Sequence, residues 1–556
     1  MISLIQQLFR SLQEPTTAKR YRDAGIGLAF TVGNQLVVLP IQITLNLHSI
    51  NIPASILVML LCLFLMVVAN YIHGGTAELY SKHIRGPTDF LGRHMSYGFV
   101  ASFIMLNRDH ISDAIAVPKI AGVFLVTTLA SYACSFLVAW GSFDLEQRVR
   151  GQRTKSFDLE SNKSWPSPST AWPTPSTDRA SKPLSHLSRI SVALVKNGSL
   201  TSIESTEKVS TPQFIDLIVH TAPLWICVLL IGVVGIPAYF ATNYETPFEV
   251  LCFILFWILS VQFQRSLRNS CRLLQHPRLR STLVILTNPV MISWALGSAY
   301  LWIKTAYTHH TIATVVTEFR RHTTLAEGMA AILGGGSIKN NIGAGDLSGP
   351  VLDAGIICLG FKMFEYRKEL WESFTTVLTT CALLAIANVF LNVMIGRAMG
   401  LEAADAIAFA ARSVTIALGV PAIQNLGGST TLMSATVIFG GIIFQMAGDW
   451  VFSLLRINDR ACQQNIDDGG SSNGEKIGDE KESQKITRVE GGEIAIVAAG
   501  ITVGINAAAM GTSHLIERDS KATAYSALSM TVFGAMTVAL TALPGVSGSI
   551  TFLASR

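Results

Sequence analysis

The chain has 556 residues, of which 50% are hydrophobic and only 14% charged, with a mean hydropathy of +0.43 and a formal net charge of +5. That balance excludes a soluble multidomain protein and gives no footing for nucleic-acid binding; the solvent it fits is lipid. A helix rises ~1.5 Å per residue, so a hydrocarbon core of ~30 Å takes ~20 mostly apolar residues to cross.

Apolar runs of that length follow one another along the chain. Spans are expected near residues 24–47, 52–72, 91–107 and 115–141, then 214–240, 246–263 and 281–303, then 345–363, 370–396, 402–420, 429–455, 493–515 and 522–544. Leu325 to Gly335 is a shorter apolar segment of re-entrant length. The total is about 12 to 14 crossings by the run-length criterion. Backbone amides in lipid must be satisfied within the segment, and runs this long and unalternating exclude a barrel. The fold class is therefore all-α, a polytopic transmembrane helical bundle with re-entrant or broken helices in its C-terminal half.

Basic residues collect in every second connection: Arg10, Lys19, Arg20 and Arg22 before the first span, Lys82, Arg85 and Arg93 after the second, Arg148, Arg150, Arg153 and Lys155 after the fourth, and Arg265, Arg268, Arg272, Arg278 and Arg280 after the sixth. Lys and Arg gather in short cytoplasmic loops, so the N-terminus and these connections are expected in the cytosol, in the plasma membrane or an organelle. The first residues lack the apolar core of a signal peptide, though a short mitochondrial presequence is compatible with them. Six cysteines lie in apolar runs, Cys271 and Cys462 lie in loops, and no C-x-x-C occurs, so neither a disulfide framework nor a zinc site is indicated.

Two stretches break the hydrophobic pattern. Ser142 to Thr211 is rich in Ser, Thr and Pro, and Asn458 to Glu490 is rich in Asp, Glu, Gly, Ser and Lys; both lack the apolar periodicity that would offset ordering entropy, and both read as disordered. Asn162 and Asn197 stand in N-x-S contexts that a cytosolic linker would leave unmodified. The chain thus divides at 1–141, 142–212, 213–280, 281–457, 458–490 and 491–556.

Ordered motifs run through both blocks. IPASILVMLLCLFLMVVA (52–69) and FLGRHMSYGFVASFIML (90–106), with an Ile-Pro-x-Ser entry and an Arg-His-Met entry, resemble the small LrgA/CidA membrane proteins. TNPVMISWALG (287–297), DAGIICLGFKMFEYRKEL (353–370), AARSVTIALG (410–419), IQNLGG (423–428) and GITVGINAAAMGTSHLIE (500–517) resemble the LrgB/CidB family. An LrgA-like half (1–141) joined to an LrgB-like half (281–457 and 491–556) is similar to the architecture of the plant plastidal glycolate/glycerate translocators. The resemblance implies a transporter of small organic monocarboxylates, glycolate, glycerate or pyruvate, or alternatively a holin-like pore or regulator of membrane integrity. The sequence departs from the family at Ile416 and Ala417, where Thr-Pro is usual, at Ala508, where a histidine is usual, and at His514.

Charged groups inside a span cost several kcal/mol and normally face a cavity or a partner, which singles out Asp353, Lys362, Asp405 and Arg412. Asp405 and Arg412 are seven apart and would share a face of one helix, with Thr415 a turn further. A guanidinium matches a carboxylate, and Ser413 and Thr415 could complete a cradle for a 2-hydroxy acid; equally, Arg412 could pair with Asp405 to fix helix packing. Asn506, Thr512 and Ser513 lie among glycines and alanines, where substrate contact competes with plain close packing. Asp353, Asp405, His514 and Asn288 are the coupling or gating candidates, and Lys362 is expected to snorkel toward the polar FEYRKE end. The run GGGSIKNNIGAGDLSGP (334–350) reads either as a cavity-lining broken helix or as an exposed loop, and lacks the Gly-Lys-Ser/Thr ending of a P-loop.

No H-E-x-x-H, no G-x-S-x-G and no His/Asp cluster suggests an enzyme. The expectations are a carrier with no cofactor and no metal, whose partners are a small anionic solute and the lipid bilayer, with homo-oligomerisation left open. Paired interruptions in 405–428 and 500–517 would suit alternating access around a midmembrane site.

Overall fold

A computed structural model describes residues 14–48, 53–105, 116–154, 211–269, 282–284, 286–322, 325–454, 457 and 480–556. The main helices are α1 (Pro15–Leu47), α2 (Ala54–Ile72), α3 (Arg85–His94), α4 (Gly98–Ile104), α5 (Ala116–Thr154), α6 (Thr211–Leu230), α7 (Thr246–Asn269) and α8 (Pro289–Thr308). They are followed by α9 (Gly349–Glu365), α10 (Phe374–Ala398), α11 (Ala403–Ala408), α12 (Ile416–Leu426), α13 (Thr430–Leu454), α14 (Glu480–Glu517), α15 (Thr523–Ala542) and α16 (Pro544–Ser555). Among the described residues 10 helices are long and apolar enough to cross a membrane. The protein is an all-α, multi-pass integral membrane protein.

The local chemistry explains many of the boundaries. Asn288 caps α8 by accepting the Val290 N–H at 2.9 Å, and Pro289 then fills the first helical position, where no N–H is needed. Gly427 ends α12 in the left-handed region at φ 71°, which frees its N–H to bond Gln424 O and places Gly428 N–H on Ile423 O. The helices sort into centre and rim: 83% of an 18-residue window within Ile494–Glu517 of α14 is buried, against 11% of one within Thr221–Thr242. Leu229, Val233 and Phe240 on that outer stretch are exposed, as lipid-facing side chains must be. α14 and α15 pack most closely, because at Gly504 any Cβ would run into Ser529 and the Ser526 carbonyl.

Several expected spans take a different form. The 91–107 span is divided by a 3₁₀ turn, Met95–Tyr97, between α3 and α4. In the 281–303 span α8 begins at Pro289, after a short helical stretch at 282–284, and is not among the ten helices long and apolar enough to cross. The 402–420 span is not one helix: α11 ends at Ala408, a 3₁₀ turn covers Phe409–Ala411, and α12 starts at Ile416. Leu325–Leu333 is a helix of 9 residues packed on α1, too short to cross. The glycine-rich run is not loose at its end: Asp346 accepts the N–H groups of Arg321, His322 and Gly343, which fixes the entry to α9.

Disorder is corrected at two edges. Residues 142–154 continue α5, helped by the Asp144–Arg148 ion pair at 2.7 Å one turn apart, and residues 480–490 are the first turns of α14. The rest of both polar stretches, with Asn162, Asn197, Cys271 and Cys462, lies outside the described residues.

The N-terminal helices do not form a separate body. α5 lies against α14 and α10, while α1, α2 and α3 lie against α9. At one end of that contact Lys362 is not snorkelling to water: it is 6% exposed and its Nζ sits 2.7 Å from Asp89 on α3 and 3.1 Å from Glu365. Arg85 joins the cluster through Glu365, Asp89 and Asp519. Burial works against its charge, but these three carboxylates outweigh it and hold the Arg85 guanidinium above its ordinary pKa.

Candidate functional site

The break between α11 and α12 is built for something other than continuous helix. Residues 412–415 leave helical geometry, and Thr415, the N-cap of α12, makes no side-chain cap, so its buried hydroxyl has no partner. The first turn of α12 therefore presents its amide end uncapped by a side chain, the positive end of a helix dipole. Asn392 on α10 supports the break by donating to the Phe409 carbonyl at 3.2 Å.

Arg412 points inward and is 2% exposed. Its two terminal nitrogens donate to the Thr127 carbonyl at 2.7 Å and the Thr128 hydroxyl at 3.1 Å, both on α5. Its Nε–H has no partner, and no ion pair includes it among the described residues. The expected shared face with Asp405 is overturned, because the 3₁₀ turn and the non-helical residues that follow lie between them; Asp405 is half-buried on α11 with other interactions of its own. Ser413 is buried in the same break.

A second interruption faces the same helix. α14 is broken at Ala508, whose φ of 47° and ψ of −137° are outside helical values. Two residues before it, Asn506 is 3% exposed and its Nδ2 donates to Ser135 on α5 at 2.7 Å and to the Thr502 carbonyl at 3.0 Å, while its Oδ1 accepts nothing. Thr128 and Ser135 are two helical turns apart on α5, about 10 Å along its axis. Between them Ser131 and Tyr132 each carry a buried oxygen with no hydrogen-bond partner. Tyr132 is near the centre of the apolar stretch Ala116–Val149, so both interruptions meet α5 along the middle of that stretch.

The result is a buried polar zone between α5 and the two interruptions: one unneutralised guanidinium, three hydroxyls and one amide oxygen, all with unused hydrogen-bonding capacity. Buried polar atoms are nearly always paired, and an unpaired buried charge costs several kcal/mol. Such a set is satisfied by an anion that carries its own donor and acceptors.

The remaining candidates have other roles. Thr512 is buried against α15, where its hydroxyl and that of Ser526 are 2.8 Å apart. Ser513 donates to the Gly92 carbonyl and accepts from Ser96, whose hydroxyl also accepts from Gln445. Gln445 in turn accepts from Asn288 at 2.9 Å and donates to the Met510 carbonyl. This network clamps the far side of the α14 break to the 3₁₀ turn of the N-terminal half. His514 lies with Nε2 3.3 Å from Asp449, which also pairs Arg518 at 2.6 Å. Asp353 is apart from all of these, beside Ser55 and Gln35.

The motifs did not reveal the α5 residues. Thr127, Thr128, Ser131, Tyr132 and Ser135 fall at spacings that share one helical face, which was a usable signal. In an apolar helix, however, hydroxyls commonly donate back to their own backbone, as Thr127 does to Val123 and Ser135 to Ser131.

The fold and site define a class: a multi-pass helical membrane protein whose interior is crossed by two interrupted helices around a buried cation. Within that class, residues 275–474 and 485–544, the block that holds both interruptions, match the LrgB-like family. A holin-like protein CidB of Staphylococcus epidermidis is 24% identical over 196 residues, covering 35% of this chain and 70% of that protein. A holin-like protein CidB of Staphylococcus aureus is 21% identical over 180 residues, covering 32% of this chain and 63% of that protein. The plastidal glycolate/glycerate translocator 1 of Arabidopsis thaliana is 25% identical over 123 residues, 22% of this chain and 24% of that protein. No solved structure matches the chain.

Proposed function

We propose that the protein is a carrier of small organic monocarboxylates of the glycolate, glycerate or pyruvate type, working by alternating access. The single observation that carries this reading is Arg412: a guanidinium buried inside the bundle, its Nε–H unspent and no carboxylate paired with it among the described residues. A transported carboxylate would supply the missing charge, with the α12 amide end adding to the attraction. Ser131, Tyr132 and Thr415 offer hydroxyls to the carboxylate oxygens, and the Asn506 amide oxygen can accept from a solute hydroxyl. The N-terminal LrgA-like half is thereby part of the binding zone. The end of the bundle that holds Arg20, Arg93 and Arg265 together faces the cytosol in this reading.

In proteoliposomes, wild-type protein should show saturable uptake of labelled glycolate, and Arg412→Gln should reduce it at least a hundredfold while its melting temperature stays near wild type. Unchanged uptake by a folded Arg412→Gln protein removes Arg412 from the site. A holin-like pore is the second reading, favoured by the similarity to the staphylococcal holin-like CidB proteins. Unselective, non-saturating leakage of a trapped dye would establish it in place of the carrier.

A further inference from the structure

The buried zone along α5 has two ends of opposite hydrogen-bonding character. At the Thr128 end Arg412 keeps an unspent Nε–H, a charged donor. At the Ser135 end Asn506 keeps an unspent Oδ1, a neutral acceptor.

The orientation of the Asn506 amide is fixed by its surroundings. Its Nδ2 lies 3.0 Å from the Thr502 carbonyl and 2.7 Å from the Ser135 hydroxyl. A carbonyl has no proton to give, so the side of the amide that faces Thr502 has to be the NH₂. Ser135 spends its own proton on the Ser131 carbonyl at 2.5 Å, so toward Asn506 it can only accept. Turned over, the amide oxygen would meet two acceptors. Asn506 is 3% exposed, so its Oδ1 is held inside the bundle without a hydrogen-bond partner.

The groups between the two ends do not discriminate. Ser131 and Tyr132 carry hydroxyls without a partner, and a hydroxyl donates or accepts as its neighbour requires. Discrimination therefore falls to Asn506. Its bare oxygen is satisfied by a solute O–H, is repelled by a ketone oxygen, and is left unpaired by a methyl group in the same place.

The spacing says where on the solute that hydroxyl belongs. Thr128 and Ser135 are seven residues apart, about 10 Å along the α5 axis. A hydrogen bond of about 2.9 Å at each end leaves roughly 4 to 5 Å between the outer oxygens of a solute. By ordinary bond lengths, a carboxylate oxygen and a hydroxyl on the adjacent carbon are only about 3 Å apart, whereas a hydroxyl one carbon further reaches about 5 Å.

We propose that Asn506 selects for a hydroxyl at the 3-position of the transported monocarboxylate; this rests on the carrier reading of Arg412. Arg412 takes the carboxylate, Asn506 Oδ1 accepts from the 3-hydroxyl, and Ser131 and Tyr132 serve whatever the 2-position carries. The site thereby ranks 3-hydroxy acids above 3-keto acids and unsubstituted acids. Between a hydroxyl and a ketone at the 2-position it is nearly indifferent.

The test measures inhibition of labelled glycerate uptake by unlabelled acids, with the full chain in proteoliposomes. For wild type, the inhibition constant of 3-hydroxybutyrate should be lower than that of acetoacetate, and that of 3-hydroxypropionate lower than that of propionate, each by about tenfold or more. Lactate and pyruvate should agree within about threefold, because the flexible hydroxyls meet either. Asn506→Leu, similar in volume but without the amide, should bring the first two ratios to within about threefold by weakening the 3-hydroxy acids. Loss of packing between α14 and α5 alone would weaken all the acids alike. Should Asn506→Leu not fold, the wild-type ratios decide by themselves.

The proposal is overturned if wild type ranks the 3-hydroxy acids no better than their counterparts, if the lactate–pyruvate ratio is the larger one, or if a folded Asn506→Leu protein keeps the wild-type ratios. Saturable glycerate uptake with flat ratios overturns the selectivity and leaves the carrier standing. Absence of saturable glycerate uptake removes the carrier reading itself, and this proposal with it.

Discussion

Ala508 occupies backbone that an alanine adopts at a cost, with φ 47° and ψ −137° in the middle of α14. Strain of this kind amounts to about 1–3 kcal/mol and persists only where the surroundings impose it. Ala508→Gly should therefore stabilise the protein by about 1 kcal/mol, read as a raised melting temperature in detergent. A lowered melting temperature would mean that the break is not in that conformation. The sequence marked Ala508 as a departure from the pattern of the family it resembles without indicating a break, because Ala507–Met510 is a run of good helix formers. Arg412 was legible for a plain reason: a cation within an apolar run is costly and draws attention. Its supposed partner Asp405 was misplaced because spacing of seven implies a common face only if the helix is continuous, and Phe409–Thr415 is not.

At the level of elements, α5 is the most informative. Its apolar stretch was legible, but its 39 residues run to Thr154, beyond the point where polarity sets in. The Asp144–Arg148 pair supports the helix one turn beyond the apolar stretch, and a hydropathy criterion has no means of seeing that. The long spans were recovered for the opposite reason, since in lipid a continuous apolar run leaves only the helix as a solution. The broken elements were not, because a short 3₁₀ turn is set by contacts such as Asn392 with the Phe409 carbonyl, not by composition. If Tyr132 on α5 binds the solute, Tyr132→Phe should raise the KM for glycolate about tenfold, the loss of one hydrogen bond to a charged group. An unchanged KM with a more stable protein would show that the hydroxyl is only an unsatisfied buried group.

For the whole molecule, the cluster of Lys362, Asp89, Glu365 and Arg85 ties the N-terminal helices to α9. Lys362→Met leaves Asp89 and Glu365 facing each other without their ammonium partner and should cost about 3–5 kcal/mol, measured by thermal or denaturant unfolding. Little change would mean that the cluster is wet and screened. The contacts of α5 with α10 and α14 predict that residues 1–154 and 211–556, expressed as separate chains in one cell, co-purify in equal amounts. Recovery of either piece alone would contradict an interface of that kind.

The position of Thr128 and Ser135 has a last consequence, for sequence variation. A helix from the first half hands hydrogen-bond acceptors to Arg412 and Asn506 in the second, so neither half can drift freely. Across homologues of this protein, residue choices around 127–135 should change in step with those around 412 and 506, whereas the exposed stretch around Leu229 to Phe240 should wander on its own.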